Sequence, residues 1–147
     1  MQRRVQVAVF AAFVAIATAF GIAVSAPANA AYYSSYEVWS NGCRSGYVCL
    51  TDDYQQQYSG VGMSADAWNL ATIPSSYRWI NNAASSAANH SSGGNATKFY
   101  NTAGGSGTAR CLRAGYWSDQ LPGINNITSA VVWSSSCGSV TLLSDQY

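Results

Sequence analysis

Two short stretches hold the residue types best placed to do chemistry in this 147-residue sequence. One is Asn81-Asn82-Ala83-Ala84-Ser85-Ser86; the other, 44 residues later, is Asn125-Asn126-Ile127-Thr128-Ser129-Ala130. Each sets an amide pair three residues ahead of a hydroxyl, follows an isoleucine (Ile80, Ile124), and runs into small or β-branched residues, Ala87-Ala88 and Val131-Val132-Trp133. Asparagine tolerates left-handed backbone and bonds its own backbone two residues on, so a repeated Asx turn is one reading. The other is a pair of hard-cation sites, since calcium takes amide, hydroxyl and backbone oxygens. The candidate ligands are Asn81, Asn82, Ala83 and Ser85 in the first stretch, and Asn125, Asn126, Ile127 and Ser129 in the second; alanine and isoleucine have only backbone oxygen to offer. Neither stretch contains a carboxylate. Affinity rises with ligand charge, so calcium would be held weakly, at roughly 10⁻⁴ to 10⁻³ M.

Catalysis has little to work with. The one histidine, His90, stands among Asn, Ser and Gly, and neither a Gly-x-Ser-x-Gly nor a His-Glu-x-x-His pattern occurs. Asp52 and Asp53 are adjacent and would face opposite sides of a strand. An enzyme is not expected.

The chain opens Met-Gln-Arg-Arg, then runs without charge from Val5 to Tyr36 through an Ala/Val/Phe-rich core to Ala28-Asn29-Ala30. This reads as a secretory signal peptide over residues 1–30 rather than a retained anchor, with small residues at the cleavage point. Removing 30 of 147 residues leaves 117 with a net charge near −1, against +1 for the whole chain. That is one domain with a core of its own, secreted and monomeric, with no basic patch for nucleic acid and no membrane segment once the leader is gone. Cys43, Cys49, Cys111 and Cys137 all follow the leader, and an even count in an oxidising compartment implies two disulfides. Three connectivities are open; Cys43 with Cys49 and Cys111 with Cys137 is favoured, the latter tying two strands of the second half. A zinc site is disfavoured by the spacings.

These elements must position the two asparagine stretches. Residues 31–42 are rich in Tyr and Ser, with a short alternation at Tyr36-Glu37-Val38-Trp39 that suits an edge strand. Tyr47-Val48-Cys49-Leu50 reads as a buried strand, followed by a polar tip over residues 51–59 and a return past Gly60 and Gly62. Asp66 to Leu70 suits one helical turn with Trp68 inward, and Pro74 forbids any long helix there. His90 to Asn95 is a linker by composition. The order then repeats: strand Thr97 to Tyr100, glycine-rich tip Asn101 to Gly107, return strand Thr108 to Arg113. Ala130 to Trp133 and Val140 to Leu143 end the sheet. Helical periodicity is sustained nowhere, so the expected class is all-β: a sandwich of two Greek-key motifs, the first over about 43–89 and the second over about 97–137, each burying its apolar face against the other.

On these residues the chain resembles the βγ-crystallin superfamily, whose calcium-binding members carry Asn/Asp-Asn/Asp-x-x-Ser/Thr-Ser in each of two Greek keys. Asn81 to Ser86 matches at every fixed position, and Asn125 to Ala130 departs only at Ala130. The family hairpin, an aromatic and a glycine with six residues between, fits Tyr100 and Gly107; the first hairpin departs, with Thr51 at the aromatic position and a longer tip. The resemblance implies calcium, with backbone carbonyls near Asp52 and Asn101 completing each shell. The leader, the Cys43-Arg-Ser-Gly-Tyr-Val-Cys49-Leu50 opening and the single two-motif domain are most similar to small secreted bacterial peptidase inhibitors of the Streptomyces metalloproteinase inhibitor type. That likeness, over roughly Cys43 to Cys137, implies a secreted metalloprotease as partner and a reactive bond at Cys111-Leu112, Leu112 filling an apolar pocket; the residues alone read equally as an ordinary strand from Ala109 to Arg113, with Leu112 in the core and both arginines solvated. The type's partner cysteine lies a few residues on, where this chain has Gly115 and Tyr116, so the bridge from Cys111 is expected to reach Cys137. A secreted calcium-binding module with a structural or antimicrobial-toxin role is the alternative function.

Overall fold

The computed structural model describes residues 30–35, 42–56 and 59–144. Eight strands are found among them: β1 (Tyr32–Ser35), β2 (Tyr47–Thr51), β3 (Gly60–Met63), β4 (Ser86–His90), β5 (Ala96–Thr102), β6 (Ser106–Leu112), β7 (Trp117–Ser118) and β8 (Ala130–Ser134). Helical structure there is confined to 3₁₀ segments at Tyr54–Gln56 and Ser75–Ile80, the second starting directly after Pro74. All ladders between these strands are antiparallel.

The sheets have the orders β1-β3-β2-β4-β7 and β6-β5-β8. Within the first motif β2 pairs β3 and β4, and within the second β5 pairs β6 and β8. The third segment of each motif crosses over. β7 joins β4 of the first motif, Ala87 opposite Ser118 and Ala88 opposite Trp117. In return Ala67 bridges Val131 of the second motif, with hydrogen bonds of 2.8 and 2.9 Å in the two directions. The result is the disulfide-bonded double Greek-key sandwich expected from the sequence, its halves interlocked.

Alternation along the strands explains the core. Val48 and Leu50 of β2, Val61 and Met63 of β3 and Ala87 of β4 face the second sheet and join Phe99, Leu112 and Val131 in the main core. The intervening residues Cys49 and Ala88 face the other way, where Cys43, Tyr33, Tyr47 and Trp117 cover them. Gly62 belongs to that outer face because the Tyr33 ring occupies the place a Cβ would take.

The edge strand expected at Tyr36 to Trp39 lies outside the described residues, as does the leader through residue 29; among the described residues β1, at Tyr32–Ser35, pairs β3 at the end of its sheet. Two other sequence expectations meet a different outcome. Asp66 to Leu70 holds an isolated bridge at Ala67, a bend at Trp68 and the start of a turn at Leu70 rather than a helical turn, and Trp68 points outward, 51% exposed. Its neighbour Ala67 takes the bridge to Val131 and the inward position. Val140 to Leu143 adds no strand, only a bridge from Leu142 to Cys111, although Leu143 is buried. Leu112 lies in the main core. No helix among the described residues is long and apolar enough to cross a membrane.

Candidate cation site

Each asparagine stretch lies just ahead of the last strand of its motif, β4 or β8. The second asparagine of each is left-handed, Asn82 with φ 58° and Asn126 with φ 53°, a conformation asparagine accepts more readily than most residues. Local turns hold the approach: Ala83 N–H donates to the Ile80 carbonyl at 3.1 Å, and Ile127 N–H to the Ile124 carbonyl at 3.3 Å. Ile80 and Ile124 are fully buried and anchor the loops to the core.

The loops are completed by each other. Asn82 N–H donates to the Thr128 carbonyl at 3.0 Å, and Asn126 N–H to the Ala84 carbonyl at 2.9 Å. The side chains follow the same exchange. Ser85 Oγ donates to Asn126 Oδ1 at 3.2 Å, and Ser129 Oγ to Asn82 Oδ1 at 2.9 Å. Every partner in one bond has its counterpart 44 positions away in the other, so the two loops form two equivalent cradles, each built from both motifs.

Backbone from the first strand of each motif closes the arrangement. Ser85 N–H donates to the Thr51 carbonyl at 2.7 Å, and Ser129 N–H to the Tyr100 carbonyl at 2.8 Å. Asp52 and Asn101, the residues whose carbonyls the family resemblance invokes, are the next in line after Thr51 and Tyr100. The Asn101 side chain is engaged elsewhere, its Oδ1 accepting Thr108 N–H at 2.8 Å across the hairpin tip. Ser129 Oγ also lies 3.3 Å from the Ile127 carbonyl, so hydroxyl, amide and backbone oxygens meet in the second cradle. In the first, Ser85 is buried while Asn126 is exposed.

This donor chemistry fits a hard cation. The paired oxygens are all neutral, and among the described residues no group of three or more His, Cys, Asp or Glu side chains gathers. Asn125 adds a second observation: its side-chain nitrogen donates to the Tyr54 hydroxyl at 3.1 Å, while its Oδ1 is buried without a hydrogen-bond partner. A buried amide oxygen left over beside a cradle of oxygens is an available ligand, since such groups otherwise carry an unmet desolvation cost. Among the described residues no side-chain hydrogen bond ties Asn81 to either cradle; its backbone N–H caps the preceding turn on the Arg78 carbonyl at 3.0 Å. The Tyr54 contact has no signal in the sequence, because it spans 71 positions.

The proposed reactive bond fares otherwise. Cys111 and Leu112 both have zero exposure; Cys111 pairs Lys98 and Leu112 pairs Thr97 in the β5–β6 ladder. A protease cleft needs an extended, projecting segment, and this bond lies on the end strand β6, its outer side hydrogen-bonded to residues 141–143 and its apolar side chain in the core. Cys111 and Leu112 thus sit as in the ordinary-strand reading of Ala109 to Arg113. The disulfides join Cys43 to Cys49 and Cys111 to Cys137, the connectivity favoured from the sequence, and fit an oxidising environment. Around the first, Tyr33 accepts the Arg44 N–H at 2.9 Å and its ring lies 4.6 Å below the Arg44 guanidinium. Burial pushes the Tyr33 phenol above its usual pKa, and Arg44 offsets part of that rise.

No known family pattern matches the sequence, and no characterised protein is significantly similar to it. The fold has solved counterparts. A structure from a study of the evolution of the eye lens βγ-crystallin domain fold aligns with a TM-score of 0.57 over 72% of this chain and 99% of its own, at 11% identity. A βγ-crystallin from Ciona intestinalis aligns with a TM-score of 0.49 over 60% of this chain and all of its own, at 16% identity.

Proposed function

We propose that this chain, with the fold of a βγ-crystallin domain, is a secreted calcium-binding module whose two cradles couple cation binding to the union of its two motifs. The observation that carries this reading is the reciprocal pairing of Ser85 with Asn126 and Ser129 with Asn82. Bound calcium supplies positive charge that draws these oxygens together. The Asn82 and Asn126 amides and the Ser85 and Ser129 hydroxyls would hold it, with backbone oxygen at Ala83 and Ile127 and near Asp52 and Asn101. Since each cradle takes side chains from both motifs, a cation there prefers the folded chain and stabilises it by linkage.

Neutral ligands make that stabilisation modest. At ten times Kd one site contributes about 1.4 kcal/mol, raising the thermal midpoint by about 5 °C for a domain of this size. The test compares midpoints in millimolar calcium and in chelator, for the wild type and for a variant carrying both Ser85→Ala and Ser129→Ala. A calcium-dependent rise that the double variant loses is expected. Equal midpoints in the wild type would leave the loops as paired Asx turns and nothing more.

The inhibitor role implied by the family resemblance is not favoured by the buried position of Cys111 and Leu112.

A further inference from the structure

A cleft of about 600 Å³, lined by none of the asparagine-loop residues, opens between the crossing segment of the first motif and the turn that links the motifs. Its lining includes Trp68, Trp133, Asp66, Ser92 and Asn95. The volume lies in the ordinary range for a small-ligand site. We propose that it binds carbohydrate, a chain of flat, equatorially substituted β-1,4-linked pyranose units.

The argument begins with Trp68. Half of this large apolar side chain stays in water, yet it is firmly placed. Its carbonyl accepts the Gly104 N–H at 2.6 Å, and its ring rests on Gly105, where a Cβ would come within 2.6 Å of Cζ3. Gly105 has φ +72° at the tip of the β5–β6 hairpin, so a glycine turn serves as the seat of an exposed indole. Fixed in this way, Trp68 offers apolar area at small entropic cost, and a pyranose presents apolar C–H faces that match it.

The polar groups around it have the other half of the required chemistry. Asp66 is exposed, and its Oδ1 is held by the Trp133 backbone N–H at 2.7 Å. Asn95 is exposed, its backbone secured by Ser91 Oγ at 3.1 Å and by the Asn89 amide at 2.9 Å. Trp133 lines the cleft as a second indole beside Trp68. The lining contains no lysine, arginine or histidine, and its one charge is negative. Phosphates and acidic sugars are thereby disfavoured, whereas neutral hydroxyls can both donate to Asp66 and accept from the Asn95 amide.

Glucose and N-acetylglucosamine polymers share this flat β-1,4 geometry, so the test uses both. The disulfide-bonded secreted protein is titrated with cellotetraose and with the N-acetylglucosamine tetramer, following tryptophan fluorescence, once with calcium and once with chelator. Saturable binding of at least one tetramer in both conditions is expected, with α-1,4-linked maltotetraose weaker. Trp68→Ala should weaken binding about tenfold or more, and Trp68→Tyr should recover part of it. Trp79→Ala, which removes an exposed indole outside this cleft, should change nothing. The proposal is overturned if neither tetramer binds, if a folded Trp68→Ala binds like the wild type, or if Trp79→Ala loses as much as Trp68→Ala. Binding that persists in chelator separates this site from the cation cradles.

Discussion

Leu112 shows how one side chain decides between functions. Its neighbours are ordinary strand partners, and its burial among Phe99, Val131 and Leu50 assigns it to the core. Leu112→Ala should therefore destabilise the protein by about 2–5 kcal/mol in urea unfolding, the usual cost of a core cavity. The wild type should leave a thermolysin-type metalloprotease, subtilisin and trypsin uninhibited. Stoichiometric inhibition of any of them, with the unfolding midpoint unmoved by Leu112→Ala, would return the residue to a reactive bond. Asn82 and Asn126 work in the opposite direction: they are exposed, and their value lies in a backbone conformation and an amide oxygen rather than in buried area.

At the scale of the element, the two hairpins are unequal. The second turns through Asn101 to Gly107, with Gly107 at φ +80° and the Asn101 amide oxygen occupying the space beside it. A methyl group there meets both positive φ and the Asn101 side chain, which holds Thr108. Gly107→Ala is expected to cost about 1–3 kcal/mol. Gly94→Ala, at φ +72° but with nothing within 4 Å of the added methyl, should cost less. Paired chemical denaturation of the two variants checks the order, and equal losses would show that the Asn101 contact contributes nothing. The first hairpin reverses through two consecutive left-handed residues, Gln55 at φ 62° and Gln56 at φ 54°. Gln56 is held by Ser86 and by the Ala87 carbonyl, and the hydroxyls of Thr51 and Ser86 join the same buried network.

At the scale of the whole molecule, stability depends on fastening one motif to the other. The exchange of β7 and Ala67 interlocks the sheets, and the Cys111–Cys137 bridge secures the segment that follows β8. A loop of 26 residues is closed by this bridge, against 6 for Cys43–Cys49. The chain-entropy account gives the longer loop about 3.5 kcal/mol and the shorter about 2.2 kcal/mol. Replacing Cys111 and Cys137 together by serine should lower the midpoint more than replacing Cys43 and Cys49. The reverse order would place the larger contribution in the outer aromatic cluster around Cys49.

Much of the molecule follows from local pattern. Alternating burial along Tyr47-Val48-Cys49-Leu50, the repeated asparagine pairs and the even cysteine count are properties of nearby residues. They are legible because strand period, turn chemistry and redox chemistry act over short range. Those features led to the double Greek key, the disulfide pairing and the loops that form the cradles. What tertiary structure alone decided is which residue meets which across the chain. Ser85 finds Asn126 rather than an asparagine of its own loop, and Asn125 finds Tyr54. Ala67 takes the bridge to Val131 while Trp68 faces outward. Each pairing joins residues of different motifs, and no window of sequence contains both sides of such a contact.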